Sequence, residues 1–224
     1  MKKIFVCLAN SKKYTERCIA GIELIRGAKG FSIAQNTNQP HWIRPVSTKE
    51  HGEVSSELVG HIKLLDIVEI DMVKNIPNGY QSENVLVAND SYRVEGEILL
   101  SKQVLDKFIS KKHSPLFLNR GKAVPAEYIK DLDHSLIFIK PTNVGFCIAK
   151  TANGNLQTRA TFFYENTIYD LPITDIDFLI QYSLTPNAFN NQKNIYFTIS
   201  LGLEFNGWHY KLIAGIICFD SIKH

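Results

Sequence analysis

Apolar and polar side chains alternate over long stretches in the carboxy-terminal third of the chain. From residue 156 to residue 165, Leu, Thr, Ala, Phe and Tyr occupy every second position and Gln, Arg, Thr, Phe and Glu fill the positions between. A second alternating stretch runs from residue 208 to residue 218. Because side chains two residues apart share one face of a strand, both stretches predict β-strands. Asn153-Gly154 and Asn206-Gly207 precede them and accept the positive φ angles of a hairpin turn.

The elements predicted for residues 134–224 follow a specific order. Strands are expected at 134–150 (bent or broken near Pro141), 155–165 and 167–171. A helix over 174–182 follows, opened by Thr174 and Asp177 as a variant capping box, and strands at 194–203 and 208–219 complete the set. Three strands, a helix and two strands is the order of the OB fold, a small five-stranded barrel.

The amino-terminal half permits a looser version of the same order. Strands are predicted at 3–9, 17–25, 41–46, 63–73 and 84–99, with a short helix near 52–59, and Ser101 is expected to cap a helix over 102–109. The sequence therefore predicts a mostly β protein with a few short helices and two OB-like small barrels. Its parts are an amino-terminal OB-like domain at 1–110, a connecting segment at 111–133 and a carboxy-terminal OB-like domain at 134–224.

Composition narrows the class of protein. With 224 residues and 45% hydrophobic content the chain can bury a core. No apolar run approaches the ~20 residues that span a bilayer. The apolar run at the amino terminus is too short for a signal peptide, and polar residues follow it from Asn10. A cytoplasmic protein without a membrane partner is therefore expected. The cysteines form no C-x-x-C pair and no histidine pair has zinc spacing. The chain also has no P-loop and no G-x-G-x-x-G motif for binding a nucleotide or a dinucleotide. No metal and no cofactor is therefore expected.

Positive charge is concentrated near the amino terminus, where the first 30 residues hold 7 basic and 2 acidic side chains. Ser11, Lys12 and Lys13 fall in the predicted loop between the first two strands, and Arg17 begins the second. This loop commonly borders the binding groove of an OB fold. The lysines and Arg17 are therefore candidate phosphate contacts, with Ser11 as a hydrogen-bond donor. The alternative is an ordinary solvated loop.

Trp42 and Arg44 lie two residues apart on a predicted extended segment that ends at Ser47. Their side chains share a face, and a tryptophan stacks on bases while a guanidinium binds phosphate. Trp42, Arg44 and Ser47 therefore complete the candidate nucleic-acid site. In the alternative interpretation Trp42 belongs to the barrel core and Arg44 forms an ion pair with Glu69 or Asp71.

Several blocks of the sequence resemble one family. They include Val6-Cys7-Leu8-Ala9-Asn10-Ser11-Lys12-Lys13, Arg17-Cys18-Ile19-Ala20-Gly21, Trp42-Ile43-Arg44-Pro45-Val46-Ser47 and Gln81-Ser82-Glu83-Asn84, with further blocks at 63–69, 135–141 and 210–217. Together these are similar to the dual OB-containing domain family of prokaryotes. The resemblance implies two OB-type barrels and a nucleic-acid-binding role, often in defence or conflict systems. Tyr14-Thr15-Glu16 departs from it, being bulkier and more acidic than the expected glycine-containing link.

Three functions remain open from the sequence. The first is a non-catalytic protein that binds nucleic acid, most often single-stranded DNA or RNA, with a defence system as its context. The second is an adaptor whose barrels dock a protein partner. The third is a phosphoester-cleaving enzyme that holds Mg²⁺ with Asp66, Glu69 and Asp71. Since Asp66 points to the opposite strand face from the other two, and no nucleophile motif is present, no catalytic residue is assigned.

Overall fold

The computed structural model describes residues 1–28, 30–36, 39–98, 101–110, 115–151, 153–189 and 192–219. They form two compact units, Met1–Lys111 and Lys112–His224. Strands dominate both units and helices are short, which confirms a mostly β fold with two OB-like barrels. Residue 99, predicted to end a strand, and residues 111–114 of the predicted connecting segment lie outside the described ranges. No helix within those ranges is long and apolar enough to cross a membrane.

The first unit contains eight strands and two helices among the described residues. The strands are β1 (Lys2–Lys13), β2 (Glu16–Gly27), β3 (Gly30–Ile33), β4 (Gln35–Asn36), β5 (Gln39–Pro40), β6 (Trp42–Val46), β7 (Asp66–Asn75) and β8 (Asn84–Glu97), and the helices are α1 (Ser56–Val59) and α2 (Lys102–Phe108). Ser101 caps α2 by accepting a hydrogen bond from the Val104 amide, as predicted.

Five of these strands close into a barrel. The order is β1-β7-β8-β6-β2, and β2 pairs back with β1. β6 and β8 run parallel, with Arg44 opposite Asn84, while the other barrel pairs are antiparallel. This is the strand order of an OB barrel. Its interior is filled by apolar side chains from every strand, among them Phe5, Cys7 and Val68.

Gly21 lies opposite Cys7 in the pairing of β1 with β2, next to an irregularity between Cys7 and Ala9. A Cβ atom added to Gly21 would lie 1.9 Å from the Val6 carbonyl oxygen. A backbone atom cannot rotate away as a side chain can, so any side chain here must separate the two strands.

We therefore expect Gly21→Ala to destabilise the first unit by about 1–3 kcal/mol, the usual cost of overpacking. Urea unfolding checks this value. Gly27→Ala is the matched control, because a Cβ there meets only one atom, at 3.5 Å. Equal stabilities of the two variants would contradict the explanation.

The second unit has seven strands, one α-helix and three short 3₁₀ helices among its described residues. The strands are β9 (Ala123–Pro125), β10 (Leu136–Ile139), β11 (Thr142–Lys150), β12 (Leu156–Tyr164), β13 (Thr167–Pro172), β14 (Ile195–Phe205) and β15 (Trp208–Cys218). The helices are α3 (Ile176–Leu184) and the 3₁₀ turns Leu116–Leu118, Ala126–Asp131 and Pro186–Phe189.

This unit is an opened version of the same barrel. Its first OB strand is split after Pro141, as predicted, into β10, which pairs with β14, and β11, which pairs with β12. The sheets β10-β14-β15-β9 and β11-β12-β13 meet at a parallel bridge between Ile173 and Ile213. β9 comes from the segment predicted to connect the domains, and pairs with the start of β15.

Local signals account for most of the turns and caps. Asn206 and Gly207 have φ angles of 52° and 80°, confirming the predicted hairpin turn. Glu165 and Asn166 form a second such turn, with φ of 45° and 62°, which the sequence did not reveal because neither residue is glycine. The predicted cap of α3 was wrong by one residue: Asp175 accepts the Phe178 amide, because Thr174 instead donates its hydroxyl to the Ile213 carbonyl.

Candidate nucleic-acid interface

A cavity of about 700 Å³ in the second unit brings together basic side chains that are far apart in the sequence. Its lining includes four cations and one carboxylate: Arg120, Lys122, Lys150, Arg159 and Asp170. Arg120, Lys122 and Lys150 are exposed, while Arg159 is partly buried. The excess of positive charge makes this basic cavity attractive to anions. The sequence analysis missed it, because Arg120 and Lys122 belong to the predicted connecting segment, and Lys150 and Arg159 belong to residues 135–224, which carry equal numbers of acidic and basic side chains.

The floor of the basic cavity is the outer face of β12 and β13, which are the second and third strands of this OB unit. Gln157 and Arg159 lie two residues apart on β12, and Ile168 and Asp170 lie two apart on β13. Each pair shares a strand face because the side-chain period is two. In OB folds, oligonucleotides bind on this face and on the loops beside it.

Arg159 is held in place by three hydrogen bonds. Its Nε donates to Asp170 Oδ1 at 2.8 Å, its Nη1 to Gln157 Oε1 at 2.6 Å and its Nη2 to the Asp170 carbonyl at 2.8 Å. A guanidinium carries five N–H groups, so one on each terminal nitrogen is left over after these bonds to described residues. Each of these groups can donate a charge-assisted hydrogen bond to an anion such as a phosphate. Arg159 can therefore bind an anion while it keeps its hydrogen bonds to Asp170.

One wall of the basic cavity is the loop over residues 119–122, which is held by a buried lysine. Lys211, which is fully buried on β15, donates through Nζ to the carbonyls of Asn119 and Gly121. Burial lowers the pKa of Lys211 to about 7. Tyr169 lies beneath the same loop, where its hydroxyl accepts the Leu116 amide at 3.0 Å. Burial raises the pKa of Tyr169 above its usual value.

Apolar surface accompanies the cations. Ile168 is 72% exposed and Tyr210 is 36% exposed, and both line the basic cavity. Trp208 is 44% exposed and lies two residues before Tyr210 on β15, on the same strand face. Aromatic rings beside cations suit nucleic acids, since bases stack on rings while phosphates bind the charges.

The candidates predicted near the first hairpin occupy different environments. Lys12 is exposed and lies opposite Arg17 across β1 and β2. Arg17 donates to the Asn10 side chain at 3.3 Å, and Asn10 in turn donates to the carbonyls of Val59 and Ile62 at the end of α1. Arg17 therefore supports a structural contact in this conformation, whereas Lys12 is open to a ligand.

The remaining loop candidates are engaged within the first unit. Ser11 is buried, and its hydroxyl lies 3.5 Å from the Cys18 carbonyl. Lys13 donates to the His51 carbonyl, and burial lowers its pKa. Ser47 donates its hydroxyl to the Glu53 carbonyl. Binding by these three residues stays a prediction that requires their present partners to be exchanged.

Trp42 and Arg44 are both inside the first unit. Trp42 is 8% exposed, and the Arg44 side chain is 3% exposed. Arg44 donates through Nε to Asn84 at 2.7 Å, and its Nη2 lies 3.0 Å from Glu83 Oε1, an ion pair without the alignment of a hydrogen bond. The expected alternative partners, Glu69 and Asp71, were wrong, because β6 is paired with β8 rather than β7. Two of the quoted sequence blocks thus meet in one buried contact.

The sequence analysis missed an aromatic pair formed by Tyr14, in the first hairpin, and His51. Tyr14, at a φ of 54° in the turn between β1 and β2, stacks on His51 with ring centroids 4.3 Å apart. Tyr14 is 58% exposed, and exposed Lys12 lies two residues away. The bulky turn residue that departs from the expected glycine-containing link therefore presents a ring beside a cation.

The carboxylates proposed for phosphoester cleavage are dispersed. Glu69 accepts from Lys2 at 2.6 Å and from Arg93 at 2.7 Å, and the Lys2 hydrogen bond is the main reason that its pKa is lowered. Asp66 instead accepts the Lys63 amide at 2.8 Å. Within the described part of the chain, no three His, Cys, Asp or Glu side chains are grouped so as to hold a metal ion.

Comparison with known proteins assigns the family. The model of the dual OB-containing domain matches residues 3–216. The chain belongs to this family. The match spans both units, so the family's two OB domains correspond to the closed and the opened barrel described above. No curated protein matches the chain.

Comparison with solved structures found matches that have little sequence in common with this family member. A replication protein A heterotrimer bound to ssDNA is 9% identical with a TM-score of 0.38, and the match covers 99% of this chain and 49% of that one. The chain thus spans about half the length of that protein. A murine DNA binding protein bound with ds DNA is 6% identical, TM-score 0.35, covering 97% and 96% of the two chains. The tetrameric p202 HIN2 is 9% identical, TM-score 0.29, covering 95% and 87%.

Proposed function

We propose that this protein binds single-stranded nucleic acid without cutting it, through the basic cavity of the second unit. The observation that carries the proposal is the convergence of Arg120, Lys122, Lys150 and Arg159 on the β12–β13 face of an OB domain. Phosphates bound there would release counterions, the main source of affinity in nucleic-acid binding. OB folds bind oligonucleotides and oligosaccharides on this face, and of the two the oligonucleotide is the polyanion.

The shape and lining of the basic cavity favour a single strand over a duplex. A cavity of about 700 Å³ lies in the range of sites that hold small ligands, so it can receive the unpaired bases of a single strand. Exposed Ile168 and the ring of Tyr210 offer surfaces for those bases. In a duplex the bases stay paired, so only its phosphates would reach the cations.

The first unit supplies a second, smaller proposed contact. Lys12 and Tyr14 are exposed on the hairpin that commonly borders an OB groove, and they place a cation beside a ring. Lys12 keeps the role that the sequence analysis gives it. Arg44 and Trp42 are the less accessible part of that earlier set.

Reversing two cavity charges should weaken binding strongly. We expect Lys122→Glu/Lys150→Glu to lose about tenfold or more in affinity for a labelled single strand near 0.1 M salt, because two phosphate contacts are replaced by repulsion. The slope of log affinity against log salt should fall by about 0.7 for each lost contact. Fluorescence anisotropy at several salt concentrations, with single-stranded DNA, single-stranded RNA and duplex, measures both quantities.

The matched control is Lys63→Glu/Lys74→Glu, which changes the net charge equally at exposed positions of the first unit. Equal losses in the two double variants would show a general charge effect and remove the cavity from the proposal. A loss confined to Lys12→Glu would move the site to the first hairpin. If the parent protein shows no salt-sensitive binding to any of the three polymers at low salt, the function fails and the adaptor hypothesis takes its place.

A further inference from the structure

The loop over residues 119–122 is the part of the basic cavity that the sequence assigned to a connecting segment. Arg120, Gly121 and Lys122 are all exposed. The loop contributes two of the four cations of the cavity and stands opposite Lys150 and Arg159. Like charges repel, so this loop has an electrostatic reason to move away from the other wall. The loop can therefore stay at the cavity only if attractive contacts with the rest of the unit hold it there.

The buried side chain of Lys211 is the principal anchor. Its Nζ donates to the carbonyls of Asn119 and Gly121, the two residues on either side of Arg120. The backbone amide of Lys211 also donates to the Lys122 carbonyl at 3.0 Å. One residue of β15 thereby holds three of the four carbonyls of the loop, those of Asn119, Gly121 and Lys122.

Nothing in the core explains this lysine as a packing residue alone. Its ammonium lies 5.2 Å from the centre of the Tyr169 ring, a cation–π distance, and its relative exposure is 0%. Burying an ammonium is costly unless hydrogen bonds and charges compensate. The compensation here comes from the loop carbonyls and the Tyr169 ring, so the loop and the buried charge stabilise each other.

We propose that Lys211 is a positioning residue of the nucleic-acid site, whose buried ammonium holds the 119–122 loop so that Arg120 and Lys122 line the cavity. The inference rests on the proposed function and adds to it the element that assembles the site. Lys211 itself does not touch the ligand. Its effect on affinity must therefore pass through Arg120 and Lys122, which is a measurable property.

A double-mutant cycle tests this route. We expect Arg120→Ala to weaken single-strand binding about fivefold in the parent, and less than about twofold when Lys211→Met is already present, because Arg120 lies between the two carbonyls that the Lys211 side chain holds. Lys150→Ala is the matched control. Lys150 lies at the end of β11 and is not held by Lys211, so its effect should be the same in both backgrounds. A merely structural role of Lys211 would change both cycles alike.

The remaining outcomes each decide the question. If the effect of Arg120→Ala is as large in Lys211→Met as in the parent, the inference is overturned. If Lys211→Met does not fold, Lys211→Gln, which keeps an N–H₂ donor, enters the same cycle. Hydrogen exchange of the amides of residues 119–122 needs no nucleic acid: faster exchange in the Lys211 variant supports the anchor even if the parent binds nothing. Unchanged exchange overturns it whatever the fate of the proposed function.

Discussion

Replacing Glu83 with alanine is expected to destabilise the first unit by about 3–5 kcal/mol, the cost of leaving one member of a buried ion pair without its partner. Arg44 and Glu83 have side chains that are each 3% exposed. After the substitution the guanidinium would keep its bond to Asn84 but would lose its counter-charge at a buried position. Urea unfolding of the parent and the variant gives this value directly.

The control replaces both charges together. Arg44→Met/Glu83→Leu removes the pair and fills its volume with apolar atoms, and substitutions of this kind are often neutral or stabilising. We therefore expect the double variant to be more stable than Glu83→Ala alone. If Glu83→Ala costs less than about 1 kcal/mol, the pair is not desolvated as described. Arg44 would then regain the phosphate-binding role that its spacing from Trp42 suggested.

Replacing Asp175 with alanine is expected to cost about 2–5 kcal/mol, the sum of a lost helix cap and a buried amide without an acceptor. Asp175 Oδ1 accepts the Phe178 amide at 3.0 Å and caps α3, while Oδ2 accepts the Ile216 amide of β15 at 2.8 Å. One side chain thus joins the helix to the strand beneath it. Asp175→Asn, whose amide oxygen can accept only one of the two, should lie between the parent and the alanine variant.

The same residue makes stability depend on pH. Burial raises the pKa of Asp175 to about 7, above the ordinary value of 3.8 that applies to the unfolded chain. The folded protein therefore holds a proton between about pH 4 and pH 7 that the unfolded chain releases, so this residue's stabilisation is lost as pH rises through that window. The difference in unfolding free energy between parent and Asp175→Ala should be larger at pH 5 than at pH 8. An equal difference at both values would show that Asp175 is ionised throughout.

The strands were predictable because their signals are local. Alternation along β12 and β15, the Asn206-Gly207 turn and the break at Pro141 each depend on a few neighbouring residues. The same is true of the Ser101 cap. The cap of α3 was displaced by one residue because Thr174 found a partner on β15, which is distant in sequence. Predictions failed where a long-range contact competed with a short-range one.

The candidate site shows the same difference between local signals and long-range contacts more strongly. The sequence directed attention to Trp42 and Arg44, since an aromatic ring and a guanidinium share a face of one strand. Whether that face is open depends on what the fold places against it, and Glu83 and Asn84 occupy the guanidinium. Of the seven predicted residues, only Lys12 is exposed, and the other six are buried or partly buried.

By itself, the sequence determined the class of the protein: a mostly β chain, two OB-order sets of strands and the blocks that mark the family. These follow from periodicity and turn chemistry, which act over a few residues. Only the tertiary structure decided where the cations meet. The basic cavity takes its residues from the 119–122 loop, from β11, β12 and β13, and from β15, and the pairing of β9 with β15 and the buried Lys211 bring the loop to it. Charge from distant segments sums in space rather than along the chain, so cations from separate segments, none of which is strongly basic, can still form the strongest candidate site for an anion.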